Sequence, residues 1–309
     1  MPKYLITGGT GSFGQAFTKR LLLDRTVDRI AILSRGEHAQ AEMAERIQDR
    51  RLRFFIGDVR DRGRLCRAFR DIDVVVHAAA LKRIEVGAYN PTEMVKTNIG
   101  GAENVIEAAI DAGVKKVVAL SSDKAWQPIS PYGQSKALAE SLFLRAYEGS
   151  TIFAVTRYGN VWNSQGSVVP RWREILKTTD TVPVTDPDAT RFFMRMDEAV
   201  DLVLNTIKSM RGGELNIPKL PAYRLGDLAK AMNAKVKIIG LPSWEKLHEG
   251  MGDGNTSDKA DRMPVEELRE ILSADSLHSP SEVRLDEASG ESPFAAQRPN
   301  GVGGGAFPL

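Results

Sequence analysis

The chemistry of this chain is concentrated in two neighbouring stretches, Ser121-Ser122-Asp123-Lys124-Ala125 and Tyr132-Gly133-Gln134-Ser135-Lys136. On a helix, Tyr132 and Lys136 stand four residues apart and share a face. A lysine ammonium beside a phenol that ordinarily titrates at about 10 favours the phenolate and makes the tyrosine usable as a base near neutrality. Ser122 can hydrogen-bond the same substrate hydroxyl. Asp123 and Lys124 add a second acid and base next to this redox trio. The combination suits a reaction that oxidises a sugar alcohol and then eliminates water. Taken alone, Asp123-Lys124 reads equally well as a surface ion pair after a strand.

Redox chemistry needs a cofactor delivered to these groups, and the N-terminus supplies the means. Lys3 to Thr7 reads as a short buried strand, followed by Gly8-Gly9-Thr10-Gly11-Ser12-Phe13-Gly14 and an amphipathic run from Gln15 to Leu23. Strand, glycine turn and helix start form the context that a dinucleotide fingerprint requires. Gly8 allows the tight turn, Gly11 lets backbone approach a pyrophosphate, and Gly14 lets the helix pack on the strand. The helix start offers free amides and a positive dipole end to phosphates. Gly8, Thr10, Gly11, Ser12, Phe13 and Gly14 are therefore the candidate cofactor turn; the bland alternative is a glycine-rich turn without a ligand.

Further strands are predicted at Ile30–Leu33, Leu52–Ile56, Val74–Val76, Val117–Leu120 and Ile152–Val155, separated by helical patterns such as Pro91–Ala112 and Tyr132–Tyr147. Near-continuous β-branched runs between amphipathic helices imply an α/β fold with a doubly wound parallel sheet covered on both faces, binding ligands at the carboxyl ends of its strands. After Asn160 the pattern loosens. Helices are expected at Arg171–Lys177, Asp197–Met210, Leu225–Met232 and Val265–Leu272, with strand-like pieces at Glu214–Ile217 and Lys235–Ile239. The expected division is a dinucleotide-binding domain over 1–165 and a smaller C-terminal substrate lobe over 166–275, part of whose strands return to the first domain. A disordered tail is expected over 276–309, where Ser, Pro, Gly and acidic residues replace apolar ones.

With 309 residues and 42% hydrophobic side chains, the chain can bury a sizeable core. A net charge of +2 gives no sign of a nucleic-acid partner. The single cysteine, Cys66, excludes an intrachain disulfide and fits a reducing cytoplasm. No leader-like or membrane-length apolar run is seen, so a cytoplasmic protein without a membrane partner is expected. No metal site is expected.

The second strand ends Leu33-Ser34-Arg35-Gly36, without the acidic residue that holds the ribose hydroxyls in NAD binders. A hydroxyl and a guanidinium at Ser34 and Arg35 suit a 2′-phosphate, so NADP is the expected cofactor, unless Arg35 is an ordinary loop arginine. Asp58 and Val59 follow the third strand and could bracket an adenine. Ala78, Ala79 and Ala80 follow the fourth and let a cofactor lie against the backbone. His77 reads as a packed residue more readily than as a catalyst. Asn98 reads either as a polar helix residue or as part of a proton relay.

Beyond these readings, the chain resembles the extended short-chain dehydrogenase/reductases. Within them it is similar to the inverting UDP-N-acetylglucosamine 4,6-dehydratases of bacterial polysaccharide and flagellin-sugar biosynthesis. The resemblance rests on Thr7 to Gly14, Ala78-Ala79-Ala80-Leu81-Lys82, Tyr89-Asn90-Pro91, Lys96-Thr97-Asn98, Ser122-Asp123-Lys124-Ala125 and Arg157-Tyr158-Gly159-Asn160-Val161. Gly166-Ser167-Val168-Val169-Pro170, Thr190-Arg191-Phe192 and Glu245-Lys246-Leu247-His248-Glu249 extend it to about Leu272. Lys124 is the discriminating position, since retaining sugar dehydratases carry glutamate there.

The resemblance implies that Ser122, Tyr132 and Lys136 form the redox trio and that Asp123 and Lys124 perform the elimination. Tyr132 would take the proton of the 4-hydroxyl while hydride leaves carbon 4. A neutral Lys124 and a protonated Asp123 would then act at carbons 5 and 6, with acid and base not distinguishable from sequence. It also implies that Asn98, Tyr132, Lys136, Tyr158 and Asn160 contact the cofactor. Lys82, Asn160, Ser167, Val168, Arg191 and Glu245 would contact a UDP-sugar, with Arg191 either the pyrophosphate partner or a structural arginine. A homo-oligomer is implied, of no fixed number.

Four departures stand out: Trp126-Gln127 after the elimination pair, Arg83 in place of a histidine, Asn163-Ser164-Gln165 in place of a Gly-Ser-Arg piece, and a shortened segment between Met251 and Thr256 with an added Gly-rich tail. A UDP-sugar 4-epimerase needs the same trio but no elimination pair, and a silent NADP-binding regulatory or scaffold protein would need neither.

Overall fold

The computed structural model describes residues 1–146 and 149–277; the expected helix end at Tyr147 and the tail from 278 onward lie outside them. The first half runs β1 (Lys3–Thr7), α1 (Ser12–Leu22), β2 (Arg29–Ser34), α2 (Glu37–Arg46), β3 (Leu52–Ile56), α3 (Arg62–Ala68) and β4 (Val74–His77). It continues with α4 (Ile84–Tyr89), α5 (Pro91–Met94), α6 (Gly100–Asp111), β5 (Lys116–Leu120), α7 (Pro131–Leu144) and β6 (Ile152–Thr156). Then come β7 (Asn160–Val161), α8 (Val168–Ile175), β8 (Thr181–Val184), β9 (Thr190–Met194), α9 (Met196–Ser209), β10 (Glu214–Asn216), β11 (Ala222–Arg224) and α10 (Leu225–Ala231). The described chain closes with β12 (Lys235–Ile238), β13 (Gly250–Gly252), β14 (Asn255–Thr256) and α11 (Val265–Leu277).

Seven strands form one parallel sheet in the order β10-β6-β5-β4-β1-β2-β3. Side chains alternate between its faces, as the two-residue period of a strand requires. Tyr4, Ile6, Ile30, Ile32, Val74, Val76 and Val118 enter one core with Phe17 and the α9 residues Val200, Val203 and Ile207. Leu5, Ala31, Leu33, Val75, Val117 and Phe153 enter the other, against Leu65, Val105 and Phe143 of α3, α6 and α7. Both faces are apolar because both are covered, which explains the continuous apolar runs of the sequence. The strand order reverses between β4 and β1, the switch point at which such sheets open a ligand crevice.

The second lobe has its own core, where Trp162, Trp172, Val182, Phe193, Leu228, Met263 and Leu268 meet. A three-stranded sheet β11-β9-β7, the pair β12-β8 and the hairpin β13-β14 frame it. β10 and α9 return to the large sheet, so residues 196–216 pack with the first half of the chain.

Two expected helices differ: Val265–Leu272 runs on to Leu277, past the expected start of the tail at 276, and the other is broken midway. Pro91–Ala112 is interrupted by a π-helical turn over Val95–Ile99. Asn98 lies in this turn and binds another element: its Oδ1 accepts from the Leu81 backbone N–H at 2.8 Å, and its Nδ2 donates to the Leu81 carbonyl at 3.0 Å. A π-turn widens the helix by one residue, which lets the side chain reach this loop.

Candidate active site

The site lies at the carboxyl ends of β1, β4 and β5. Gly8 has φ +67, and a Cβ there would lie 2.8 Å from the Ala79 backbone nitrogen. The turn is therefore a glycine requirement for two reasons, backbone conformation and the close passage of the β4 loop. Gly11 precedes α1 with no side chain capping the helix, so its first amides face outward as an anion cradle. Thr10 is tied to α1 through its carbonyl, which accepts from Gln15 Nε2 at 2.7 Å. Phe13 stacks on Phe17 with ring centroids 5.5 Å apart. Ala78, Ala79 and Ala80 are half-buried along the opposite wall, and the nearby Ser121 hydroxyl is buried without a partner. These features fit a dinucleotide.

At the far end of that cradle, Ser34 Oγ accepts from Gln40 Nε2 at 3.0 Å, leaving its own O–H free to donate. Arg35 is exposed beside it. Asp58 is bound by Arg60 at 2.7 Å, and Arg60 also meets Glu93 at 2.9 Å. Burial works against the Asp58 carboxylate, but the Arg60 hydrogen bonds and the charges of Arg60 and Arg35 hold it below the usual range. Val59 is packed into the core with Ala102 and Val105.

β5 ends at Leu120 and a single 3-10 turn follows, Asp123–Ala125, capped by Ser122 Oγ, which accepts from the Lys124 N–H at 3.3 Å. The Asp123 N–H donates to the Tyr158 carbonyl at 3.0 Å, which fixes the turn to the segment after β6. α7 starts at Pro131 with Ser130 as cap, its Oγ accepting from the Gly133 N–H at 3.1 Å. Gly133 is required here: a Cβ would lie 2.3 Å from the Lys124 carbonyl. This contact brings α7 onto the turn and delivers Tyr132 to Ser122, Asp123 and Lys124.

Ser122 Oγ donates to Asp123 Oδ1 at 2.8 Å, and Lys124 Nζ donates to the same oxygen at 3.1 Å. Lys124 Nζ also donates to Asn160 Oδ1 at 3.3 Å and lies 3.3 Å from Glu249 Oε1. Asp123 Oδ2 is buried with no hydrogen-bond partner. Burial disfavours the Lys124 ammonium, but Asp123 and Glu249 outweigh it and hold Lys124 well above the ordinary lysine value. The two carboxylates thus favour the charged form of Lys124. Burial raises the Tyr132 phenol, and the opposing pull comes from the Lys124 charge and a hydrogen bond with Ser122. Lys136 is directed elsewhere: Nζ donates to the Leu120 carbonyl at 2.5 Å, and burial pushes it down to about 8. The Lys124 charge is one of the groups that act on the tyrosine.

His77 is buried, with Nδ1 2.8 Å from Thr7 Oγ1, and burial followed by the nearby Lys136 charge pushes it down to about 3. It is a neutral packed residue. Asn98 holds the Leu81 loop and donates to Ser135 Oγ at 2.9 Å, while Ser135 Oγ donates to the Tyr132 carbonyl at 2.7 Å. It thus connects the loop wall to the helix that carries Tyr132. Tyr158 is buried in the core close to Tyr132.

On the second-lobe side, Arg191 donates from Nη1 to the Thr190 carbonyl at 2.7 Å and the Leu247 carbonyl at 3.1 Å, and from Nη2 to Glu245. Two residues expected to contact substrate are thereby each other's partners. Ser167 occupies the N-cap position of α8 directly before Val168, but its buried hydroxyl has no partner and makes no cap hydrogen bond. Lys82 Nζ donates to the Gln165 carbonyl at 2.8 Å, and the Gln165 N–H donates to Ser12 Oγ at 3.1 Å. The loop containing Asn163-Ser164-Gln165 thus spans from the cofactor turn to Lys82. Trp126 lies under the Arg157 guanidinium at 5.8 Å, and its carbonyl accepts from Lys246. Glu249 and Lys246 join the site without having been singled out from sequence. The available signal was two acids and a lysine within Glu245–Glu249, of which only Glu245 stood out.

A parallel sheet with its switch point at a glycine turn, and a Ser-Tyr-Lys set after the fifth strand, define a dinucleotide-binding short-chain dehydrogenase/reductase. The profile of the polysaccharide biosynthesis protein family matches residues 4–268, and the chain belongs to that family. An inverting UDP-N-acetylglucosamine 4,6-dehydratase of Campylobacter jejuni (serotype O:2) is 48% identical over 254 residues, 80% of this chain and 76% of that one. A UDP-glucose 4-epimerase of Rickettsia akari is 40% identical over 270 residues, 83% and 79% of the two chains. Among solved structures, Pen from Bacillus thuringiensis superposes with a TM-score of 0.84 at 34% identity, covering 88% of this chain and 98% of that one. Among the described residues, no helix is long and apolar enough to cross a membrane.

Proposed function

We propose that this protein is an NADP-dependent dehydratase that removes water across carbons 5 and 6 of UDP-N-acetylglucosamine and inverts carbon 5. The observation that carries the reading is the buried cluster in which Ser122, Asp123, Lys124 and Tyr132 converge, an acid–base pair set against a redox pair. The 48% identity to a C. jejuni protein of that name supports the substrate. Gly8, Thr10, Gly11, Ser12, Phe13, Gly14 and the alanines after β4 would hold the dinucleotide, with Ser34 and Arg35 at its 2′-phosphate. When bound, the nicotinamide supplies a hydride acceptor for carbon 4 and a hydride donor for carbon 6.

Tyr132, hydrogen-bonded with Ser122, accepts the proton of the 4-hydroxyl. The ketone at carbon 4 acidifies the carbon 5 proton. The geometry suggests the division of roles: Asp123 Oδ2, with no donor of its own, accepts the carbon 5 proton, and Lys124, set between Asp123 and Glu249, donates to the departing 6-hydroxyl. A proton from water then enters carbon 5 from the opposite face and inverts it, Tyr132 and Asp123 release the protons they took, Lys124 regains its own, and the cofactor ends each turn as it began. The Ser167 hydroxyl, buried without a partner at the α8 N-terminus, would receive a nucleotide phosphate.

A second reading, 4-epimerisation, is favoured by the name of the R. akari relative. Incubation of the purified protein with UDP-N-acetylglucosamine, followed by mass spectrometry, separates the two. Loss of one water is expected; an unchanged mass with a 4-epimer by NMR overturns the dehydratase reading in favour of the epimerase.

A further inference from the structure

Glu249 lies directly before β13, and its carboxyl group sits among the residues of the proposed elimination. We propose that Glu249 is a positioning residue, a counter-charge that keeps Lys124 charged and aimed at Asp123; the proposal rests on the dehydratase reading above.

Four observations point to it. Asp123 and Glu249 are only 1% and 2% exposed, and the Lys124 ammonium lies between them at 3.1 and 3.3 Å. Glu249 is held rigidly from below: its N–H donates to Ser257 Oγ at 2.9 Å, and its carbonyl accepts from the Ser257 N–H at 2.8 Å. Ser257 Oγ in turn lies 2.6 Å from Thr190 Oγ1 on β9. Finally, Glu249 Oε2 makes no hydrogen bond, and Lys246 Nζ lies 3.9 Å from it. A buried carboxylate so poorly satisfied is a liability to stability, and such groups concentrate where charge has a task.

The task follows from the neighbours. Lys124 faces Asp123 on its own turn, Tyr132 on α7, Asn160 on β7, Arg191 on β9, Tyr223 on β11, and Glu249 and Lys246 before β13. Arg191 pushes against the ammonium, and of the two carboxylates only Asp123 takes part in the proton transfers. Once Asp123 accepts a proton, its attraction for Lys124 ends. Glu249 is then the remaining carboxylate that, with the Asn160 Oδ1 acceptor, keeps the ammonium in place to donate to the leaving hydroxyl. An opposite charge at this distance displaces a lysine titration by roughly one to three units.

The experiment compares the full-length parent with Glu249→Gln and Glu249→Asp. Acylation of Lys124 by acetic anhydride, read by peptide mass spectrometry across pH, requires no substrate and no turnover. In E249Q the Lys124 titration should fall by at least about one unit, so acylation at fixed pH below both midpoints rises about tenfold or more. The alkaline limb of kcat should move down with it, because a lysine that must donate a proton loses it at lower pH. KM and NADP affinity should hold. E249D, with its carboxylate withdrawn by one methylene, should shift in the same direction by less, and it carries the test if E249Q does not fold. A folded variant whose Lys124 acylation profile matches the parent overturns the proposal. Failure of the parent to dehydrate UDP-N-acetylglucosamine overturns the dehydratase reading instead, and leaves the acylation result to judge the Glu249–Lys124 contact.

Discussion

Acidification tests whether His77 is a neutral core residue. The ring is 3% exposed, bonded to Thr7 Oγ1 at 2.8 Å and packed 5.5 Å from the Phe143 ring, with Lys136 close by. Its titration falls from 6.5 in the unfolded chain to about 3 in the folded one. Because the folded value is the lower, the unfolded chain binds the extra proton, and stability is lost as pH drops from 6.5 toward 3. Over that whole window the loss is about 5 kcal/mol, and between pH 7 and 5 it is about 2 kcal/mol. Carboxylates titrate in the same range, so the informative quantity is the difference between the parent and His77→Asn. Urea unfolding at pH 7 and pH 5 should show the parent losing about 2 kcal/mol more than the variant over this interval. Parallel losses would refute a neutral buried ring. The variant should also still dehydrate substrate, since the His77 hydrogen bond goes to Thr7 rather than to Ser122, Asp123 or Tyr132.

Lys124→Ala should abolish dehydration and leave dinucleotide affinity unchanged, as read by turnover and equilibrium binding. Gly133→Ala places a Cβ 2.3 Å from the Lys124 carbonyl and should cost about 1–3 kcal/mol together with most of the activity. An unaltered melting temperature and rate would contradict the contact. Arg35→Glu should reverse the preference between NADP and NAD, measured as the ratio of their dissociation constants. Glu140→Gln breaks the buried pair with Arg157, whose Nη1 also donates to the Met251 carbonyl at 2.8 Å, and should cost about 3–5 kcal/mol in denaturant unfolding.

The α/β architecture was legible because it is written locally. Ile30–Leu33 and Val74–Val76 are apolar at every position, which in a strand means two covered faces. The glycine turn was legible for the same reason, since its strand, turn and helix start lie within a few residues. What sequence could not give is the set of contacts made across long separations. Tyr132 and Lys136 share a helix, but the Leu120 carbonyl that Lys136 meets on β5 and the Lys124 charge that acts on the phenol come from other elements. Glu249 reaches Lys124 from 125 positions away, a distance at which no periodicity carries information. Arg191 and Glu245 looked like independent cations and anions, and the fold makes them a pair. The Leu81 backbone that Asn98 binds from its π-turn was invisible because it belongs to another element.

The return of α9 and β10 to the large sheet has a consequence for how the chain is made. Translation delivers the cofactor turn first and the catalytic helix α7 soon after, yet the sheet still lacks its edge strand and one face is covered only in part, by α1 and α2. Val200, Val203 and Ile207 of α9 complete the core around Tyr4 and Phe17, and β10 closes the edge beside β6. On the ribosome, the N-terminal half therefore waits with a partly open apolar face until residue 216 has emerged, with most of the second lobe's early elements already synthesised. The two lobes are born interleaved. A nascent chain arrested before α9 should recruit hydrophobic-surface chaperones, and one released after β10 should not.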